Sequence, residues 1–107
     1  MYEYAARVVA IHDGDTLTAA IDCGFDIVFT QPIRFYGINA PELTTQAGKD
    51  ALAYLLTLIN VGDVVTLDTV KDRKEKYGRY LATIKRADGL NVNDAMVTSG
   101  HAVVYLP

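Results

Sequence analysis

The sequence predicts a mainly β, α+β fold, a small barrel of five strands with two helices. Two observations carry this prediction. Short β-rich segments and turn signals come in the order strand, strand, strand, helix, strand, strand, helix. Half of the 107 residues are apolar, which is enough for one buried core. Residues 1–107 are therefore predicted to form a single domain.

The predicted strands are β-rich runs bounded by glycine, asparagine, aspartate or proline. The third is expected to break at Gln31-Pro32, because proline is confined to strand edges and bulges. Residues 37–42 are expected to be a loop and 102–106 an apolar tail. The five strands are residues 7–11, 16–21, 25–36, 64–69 and 80–84.

Apolar periodicity and capping residues predict the two helices. Asn91 is a good N-cap for the second helix, and Gly100 suits the position just past its end. The first helix has apolar residues at i, i+3, i+4 and i+7, namely Leu52, Leu55, Leu56 and Ile59. Five strands with a helix after the third is the order of a Greek-key barrel of the OB type.

Charge is distributed unevenly along this chain. The formal net charge is −3, but residues 71–86 carry seven Lys or Arg against two carboxylates. The rest of the chain carries three basic residues against eleven acidic ones. A solvated hairpin explains such a run. The functional interpretation is a strip that attracts phosphate on an otherwise acidic body.

Composition limits the metals and compartments to consider. One cysteine, Cys23, excludes an internal disulfide and a multi-cysteine zinc site, and there are two histidines. Any bound metal is therefore expected to be held by oxygen. No apolar run reaches the roughly 18–20 residues of a membrane span, and no signal-peptide pattern follows Met1. We expect no membrane partner and a cytoplasmic location.

The first segment that could do chemistry is Asp13-Gly14-Asp15-Thr16. Two carboxylates at i and i+2 across a glycine turn can direct oxygens at one hard cation. An ordinary Asp-Gly hairpin turn is the alternative.

The second segment runs from Ile33 to Glu42. Alternation along the strand places Arg34 on the face opposite Ile33 and Phe35. A half-buried guanidinium there requires an anionic partner, and Asn39, backbone carbonyls and Glu42 follow in the loop. The alternative is an arginine that extends to the surface.

The third segment is Lys76-Tyr77-Gly78-Arg79-Tyr80. A guanidinium that enters a strand behind a glycine is placed to bind phosphate through two parallel hydrogen bonds. Lys76 adds charge and Tyr77 adds a stacking face. A turn in a charged hairpin is the alternative. Together the three segments suit phosphodiester cleavage, with a cation, two arginines and a glutamate that orients water.

In these motifs the chain resembles the staphylococcal nuclease-like (thermonuclease) family, from about Val8 to Val104. The matching runs are Asp-Gly-Asp-Thr, Ile-Arg-Phe-Tyr-Gly-Ile-Asn-Ala-Pro-Glu, Tyr-Gly-Arg-Tyr-Leu-Ala and Asp-Gly-Leu-Asn-Val-Asn. The resemblance implies an OB-fold nuclease that uses Ca²⁺ and cuts DNA and RNA, preferentially single-stranded, with little sequence specificity.

The resemblance also implies a role for each matching position. Arg34 and Arg79 match the arginines that bind phosphate and stabilise the transition state, and Glu42 matches the proposed general base or water-positioning glutamate. The other matches are Asp15 as a calcium ligand, Asp13 as its supporting carboxylate, Ala40 as a carbonyl ligand, and Lys76 and Tyr77 as nucleotide contacts.

Two departures from the family pattern leave a second function open. Asn39 stands where well-known members carry a second calcium-binding aspartate, so calcium affinity is expected to fall. The sequence also ends before the family's final helix. The alternative is therefore a weak or inactive OB-type module that binds single-stranded nucleic acid or protein. Apolar Val103, Val104 and Leu106 lead us to expect a monomer or a weak homo-oligomer.

Overall fold

A computed structural model describes residues 2–74 and 77–106, with the backbone alone at 71–74. Neither helix in this part of the chain is long and apolar enough to span a membrane. The elements are β1 (Tyr2–Asp13), β2 (Thr16–Asp22), β3 (Val28–Phe35), β4 (Ile38–Asn39), α1 (Gln46–Leu58), β5 (Val64–Lys74), β6 (Tyr80–Lys85), α2 (Val92–Thr98) and β7 (Val103–Val104).

The five long strands close into a barrel in the order β1-β2-β3-β6-β5, which confirms the predicted fold class. The pairing of β3 with β6 is parallel, and the other barrel pairs are antiparallel. Alternation along β3 buries Ile33 and Phe35 inside the barrel and leaves Arg34 on its outer face. The strand therefore supplies the core and presents a guanidinium outside it.

Two predictions about the third strand were wrong in detail. It begins at Val28, since residues 25–27 lie in the turn before it, and it continues through Pro32 without a break. Pro32 pairs with Thr18 of β2, whereas the pairing of β3 with β6 starts one residue later, at Ile33. Proline is tolerated because the β6 side is still a local edge there.

The expected loop and tail form a second, two-stranded sheet. Ile38 pairs with Val104 and Asn39 with Val103, and the Tyr105 N–H donates to the Gly37 carbonyl at 2.8 Å. Strands of two residues carry almost no local signal, because their hydrogen bonds join distant parts of the chain. This pairing holds the segment after β3 in place.

The first helix confirms part of the predicted apolar stripe. Leu55 and Ile59 are buried as predicted, whereas Leu52 is half-buried and Leu56 is exposed. The small residues Gly48 and Ala51 complete the buried face. The helix also starts well before Leu52, since the Thr45 hydroxyl caps it by accepting from the Gly48 N–H at 3.0 Å. Small residues at the contact let the helix lie close to the chain beneath it.

The second helix is fixed by one buried amide. Asn91 caps it as predicted, accepting from the Asp94 N–H. The Asn93 side chain, 3% exposed, accepts from the Ile84 N–H at 3.0 Å and donates to the carbonyls of Tyr36 and Ala82. These bonds join α2 to β6 and to the end of β3.

Candidate active site

The carboxylate of Asp15 joins three distant parts of the chain. It lies in the β1–β2 turn and is 7% exposed. Its Oδ2 accepts from the Ala40 N–H at 2.8 Å and lies 3.2 Å from Nη1 of Arg34. Its Oδ1 accepts from the Thr16 hydroxyl at 3.1 Å. The first turn, the end of β3 and the segment after β4 therefore meet at one acid.

The Arg34 guanidinium makes three contacts in the site. Besides the Asp15 ion pair, its Nη1 donates to the Phe35 carbonyl and its Nη2 to Oδ1 of Asn39, both at 3.2 Å. Within the described residues these three contacts engage at most three of the five guanidinium N–H donors. In that part of the chain at least two donors are left for an anion that accepts two parallel hydrogen bonds, such as a phosphate.

The parallel register brings Arg79 to the same wall of the barrel. Arg34 pairs with Leu81, and Arg79 comes directly before Tyr80, the first residue of β6. An extended backbone at Arg79 would direct its side chain to the same outer face as Arg34. From strand geometry their Cα atoms are roughly 8 Å apart, within reach of one phosphate for two long side chains. The Arg79 guanidinium lies over the Tyr77 ring, 5.5 Å from its centroid. Tyr77 is exposed, and Lys76 lies outside the described residues.

Glu42 occupies a turn packed on the start of α1. Its carbonyl accepts from the Thr45 N–H at 3.0 Å and from the Thr45 hydroxyl at 2.7 Å. Its side chain is exposed, two residues beyond Ala40. A Cβ added at Gly48 would lie 1.9 Å from the Glu42 carbonyl oxygen. The position of Glu42 therefore depends on a glycine in the helix, a residue that the motifs did not single out.

Gly14 has a similar role in the first turn. A Cβ there would lie 2.8 Å from Cβ of Ala40 and 2.9 Å from Cβ of Ala51. The Asp-Gly-Asp turn is thus more than a hairpin connection, because α1 and the segment after β4 both pack against its glycine.

Burial makes the Asp15 carboxylate hard to ionise. Desolvation is the main cause that raises its pKa, and a hydrogen bond with the Asp13 side chain raises it further, while the Ala40 N–H and Arg34 act in the opposite direction. Oδ1 of Asp13 also accepts from the Asp15 N–H at 3.1 Å. Two carboxylates held this close favour a cation between them.

The residues joined to Asp15 and Arg34 carry oxygen donors of the hard type that Ca²⁺ prefers, but few of these donors are charged. Asp13 and Asp15 have carboxylates, Asn39 has an amide oxygen that accepts from Arg34, and Ala40, whose N–H donates to Asp15, has a backbone carbonyl. Among the residues that the structure describes, no three His, Cys, Asp or Glu side chains form a metal-binding cluster. A donor set with few negative charges predicts weak binding.

The pH dependence of stability provides a first test of the site. The raised pKa means that the folded, metal-free protein binds the Asp15 proton more tightly than the unfolded chain. Asp15 then makes its whole contribution to the free energy of unfolding when the pH is below its pKa in the unfolded chain. This contribution is lost as pH rises through its pKa in the folded protein. We expect Asp15→Asn to gain stability relative to wild type as pH rises from about 3 to 7.

This expectation can be measured by urea unfolding at several pH values in chelator. Asp50→Asn, on the exposed side of α1, is the matched loss of one charge and should show no such trend. A difference between Asp15→Asn and wild type that stays constant with pH would contradict the raised pKa.

The structure brings some of the predicted site residues into direct contact and places others nearby. Direct contacts join Asp15, Arg34, Asn39 and Ala40, with Asp13 bonded to the Asp15 backbone. Arg79 directly precedes the neighbouring strand β6, and Glu42 follows two residues after Ala40. Their chemical roles remain predictions.

Comparisons with known proteins give a consistent result. A family model described as "staphylococcal nuclease homologue" matches residues 32–106. The chain is similar to the protein named endonuclease YhcR of Bacillus subtilis (strain 168), 32% identical over 114 residues, which cover 96% of this chain and 9% of that protein. It is also similar to a protein named "uncharacterized endonuclease" of Escherichia coli O157:H7, 34% identical over 99 residues, which cover 92% of this chain and 60% of that protein. The chain therefore spans only part of each relative.

Proposed function

Because this chain belongs to the staphylococcal nuclease family, we propose that it is a calcium-dependent nuclease that hydrolyses phosphodiester bonds of DNA and RNA with little sequence specificity. The observation that carries the proposal is the contact of Asp15 with Arg34 and Ala40, and of Arg34 with Asn39. It supports the proposal because an acid that can bind a cation lies beside an arginine with donors left for a phosphate.

Each residue has a task in the proposed reaction. Arg34 and Arg79 bind the non-bridging oxygens and stabilise the negative charge that grows on phosphorus as water attacks. Glu42 orients that water and accepts its proton. Asp15, Asn39 and the Ala40 carbonyl, with Asp13 in support, would hold a calcium ion, which when bound would supply Lewis-acid polarisation of the phosphate.

We further propose that single strands are the better substrate. Tyr77 is exposed beside Arg79, where an unpaired base or sugar can contact its ring, and Lys76 lies next to it in sequence. The described residues hold no helix arranged to read a groove, which supports low sequence specificity. Exposed Val103 and Val104 support at most a weak homo-oligomer.

A second candidate function is a binding module without catalysis. It is favoured by the Asn39 amide, which replaces a carboxylate and accepts a hydrogen bond from Arg34. An amide in that position leaves fewer negative charges for calcium than the family's pattern.

Calcium titration of wild type and Asn39→Asp separates the two functions. We expect wild type to cut single-stranded DNA at roughly millimolar calcium and to stop in chelator, since weak oxygen sites bind in that range. The added carboxylate should lower the calcium concentration for half-maximal cutting about tenfold. A gel-based digest over a range of calcium concentrations measures both.

Asn60→Asp, beyond the end of α1, is the control for one added negative charge and should leave the titration unchanged. An inert wild type with an active Asn39→Asp variant would support the binding module. Two inert proteins would refute the nuclease proposal.

A further inference from the structure

A separate cavity opens at one end of the barrel. It has a volume of about 260 Å³, smaller than the roughly 300–1,000 Å³ of sites for drug-sized ligands, and so suits one flat ring system. Phe29 and Tyr80 meet in it edge to face, with ring centroids 6.1 Å apart. The lining is Tyr4, Ile21, Phe29, Ile33, Thr69 and Tyr80, with Cys23 at the exposed end of the β2–β3 hairpin.

The cavity shares its wall with the arginines of the active site. Ile33 pairs with Tyr80, and both side chains line the cavity inside the barrel. Arg34 follows Ile33 on the outer face of β3, and Arg79 directly precedes Tyr80 at the start of β6. A ligand that spans the start of β6 can therefore contact Arg79 with one group and enter the cavity with the next.

The strand β5 reaches this opening. Its Thr69 lines the cavity, and its backbone at position 74 pairs with Tyr80, which lines the cavity as well. From Thr69 to position 74 the sequence is basic, with Lys71, Arg73 and Lys74. Aromatic surfaces beside a basic strand are the combination that holds single-stranded nucleic acid, by base stacking and phosphate attraction.

We propose that the cavity at the barrel mouth binds one unpaired base of the strand whose phosphate is held by Arg79. The base stacks on Phe29 and Tyr80. The Thr69 hydroxyl donates to the Tyr2 carbonyl at 3.1 Å and can accept a hydrogen bond from the edge of the base. This subsite rests on the proposed nuclease function. It adds a second contact with the substrate, to a base rather than to the reacting phosphate.

Another occupant of this end of the barrel would be a second copy of the chain. Phe25 is 97% exposed at the hairpin tip, and Ile27 and Val28 are exposed beside it. Apolar residues of this kind also mark contacts between proteins. The base is favoured because the cavity adjoins Arg79 and the basic strand, a combination that an apolar self-contact does not require.

The test measures binding in chelator, where the proposed reaction does not run. The probes are a fluorescent thymidine decamer and the same strand with abasic sites, followed by anisotropy at low salt. We expect wild type to bind the abasic strand about tenfold more weakly, the size of one lost base–aromatic stack. Phe29→Ala should weaken binding of the intact strand by a similar factor and hardly affect the abasic one.

Two further variants complete the design. Cys23→Trp places a large side chain at the opening of the cavity from an exposed position. It should weaken binding of the intact strand as Phe29→Ala does. Phe25→Asn is the matched control on the same hairpin, since its side chain does not line the cavity and asparagine tolerates the left-handed backbone there (φ 54°). Thermal unfolding checks that each variant is folded, and sedimentation velocity gives the oligomeric state.

Each outcome decides the proposal. The proposal is overturned if wild type binds the intact and the abasic strand with equal affinity. It is also overturned if Phe29→Ala lowers the affinity for both strands by the same factor. If wild type forms an oligomer that Cys23→Trp dissociates, and nucleic-acid binding is unchanged, the cavity at the barrel mouth serves self-association instead. Absence of cleavage at any calcium concentration would refute the nuclease function while leaving the binding result valid.

Discussion

Glu42→Gln is expected to lower kcat for single-stranded DNA by about 10²–10⁴-fold, the usual contribution of a positioned general base. The amide keeps the size of the side chain and removes its capacity to accept a proton. The bonds that hold the turn should survive, because Thr45 donates to the Glu42 carbonyl rather than to its side chain. The loss should therefore appear in kcat, with little change in the thermal midpoint.

Initial cutting rates at saturating calcium measure this effect. Asp50→Asn removes one charge from the exposed side of α1 and should cut like wild type. A Glu42→Gln rate within about tenfold of wild type would remove Glu42 from the chemistry, since a general base contributes more than that. The proposal for the two arginines and the cation would then stand without it.

Gly48→Ala is expected to lower the free energy of unfolding by about 3 kcal/mol, the upper end of the usual cost of overpacking. In an unobstructed helix the same change gains about 1 kcal/mol from helix propensity. Here the new Cβ would lie 1.9 Å from the Glu42 carbonyl oxygen and 2.4 Å from its carbon. Backbone cannot rotate away as a flexible side chain does, so α1 or the Glu42 turn must move.

Urea unfolding and cutting rates test this prediction together. Ala47→Gly, at the exposed neighbouring position, is the matched control and should cost about 0.5–1 kcal/mol from helix propensity, with activity retained. The displaced turn should also lower the cutting rate of Gly48→Ala in conditions where the protein is fully folded. A Gly48→Ala protein as stable as wild type would contradict the close packing of helix and turn.

Local patterns were sufficient for much of the fold and for the outline of the site. Alternation along β3 predicts that Arg34 faces away from the core, because side-chain direction in a strand has a period of two. Capping chemistry predicts Asn91, since its side chain bonds to a backbone group three residues away. Motif order supplied the candidate residues Asp15, Glu42 and Arg79.

Long-range contacts decided what these patterns left open. The buried face of α1 follows the small residues Gly48 and Ala51 rather than the larger Leu56, because the helix meets backbone there. The pairing of Asn39 with Val103 joins segments more than sixty residues apart.

The amino-acid order by itself determined the barrel, its two helices and the residue types available for phosphate chemistry, because periodicity and capping act within a few residues. Only the folded chain decided that Asp15 is buried against Arg34 and that Glu42 is set by a helix glycine. Those arrangements depend on the approach of distant backbone, whose distances no local pattern contains.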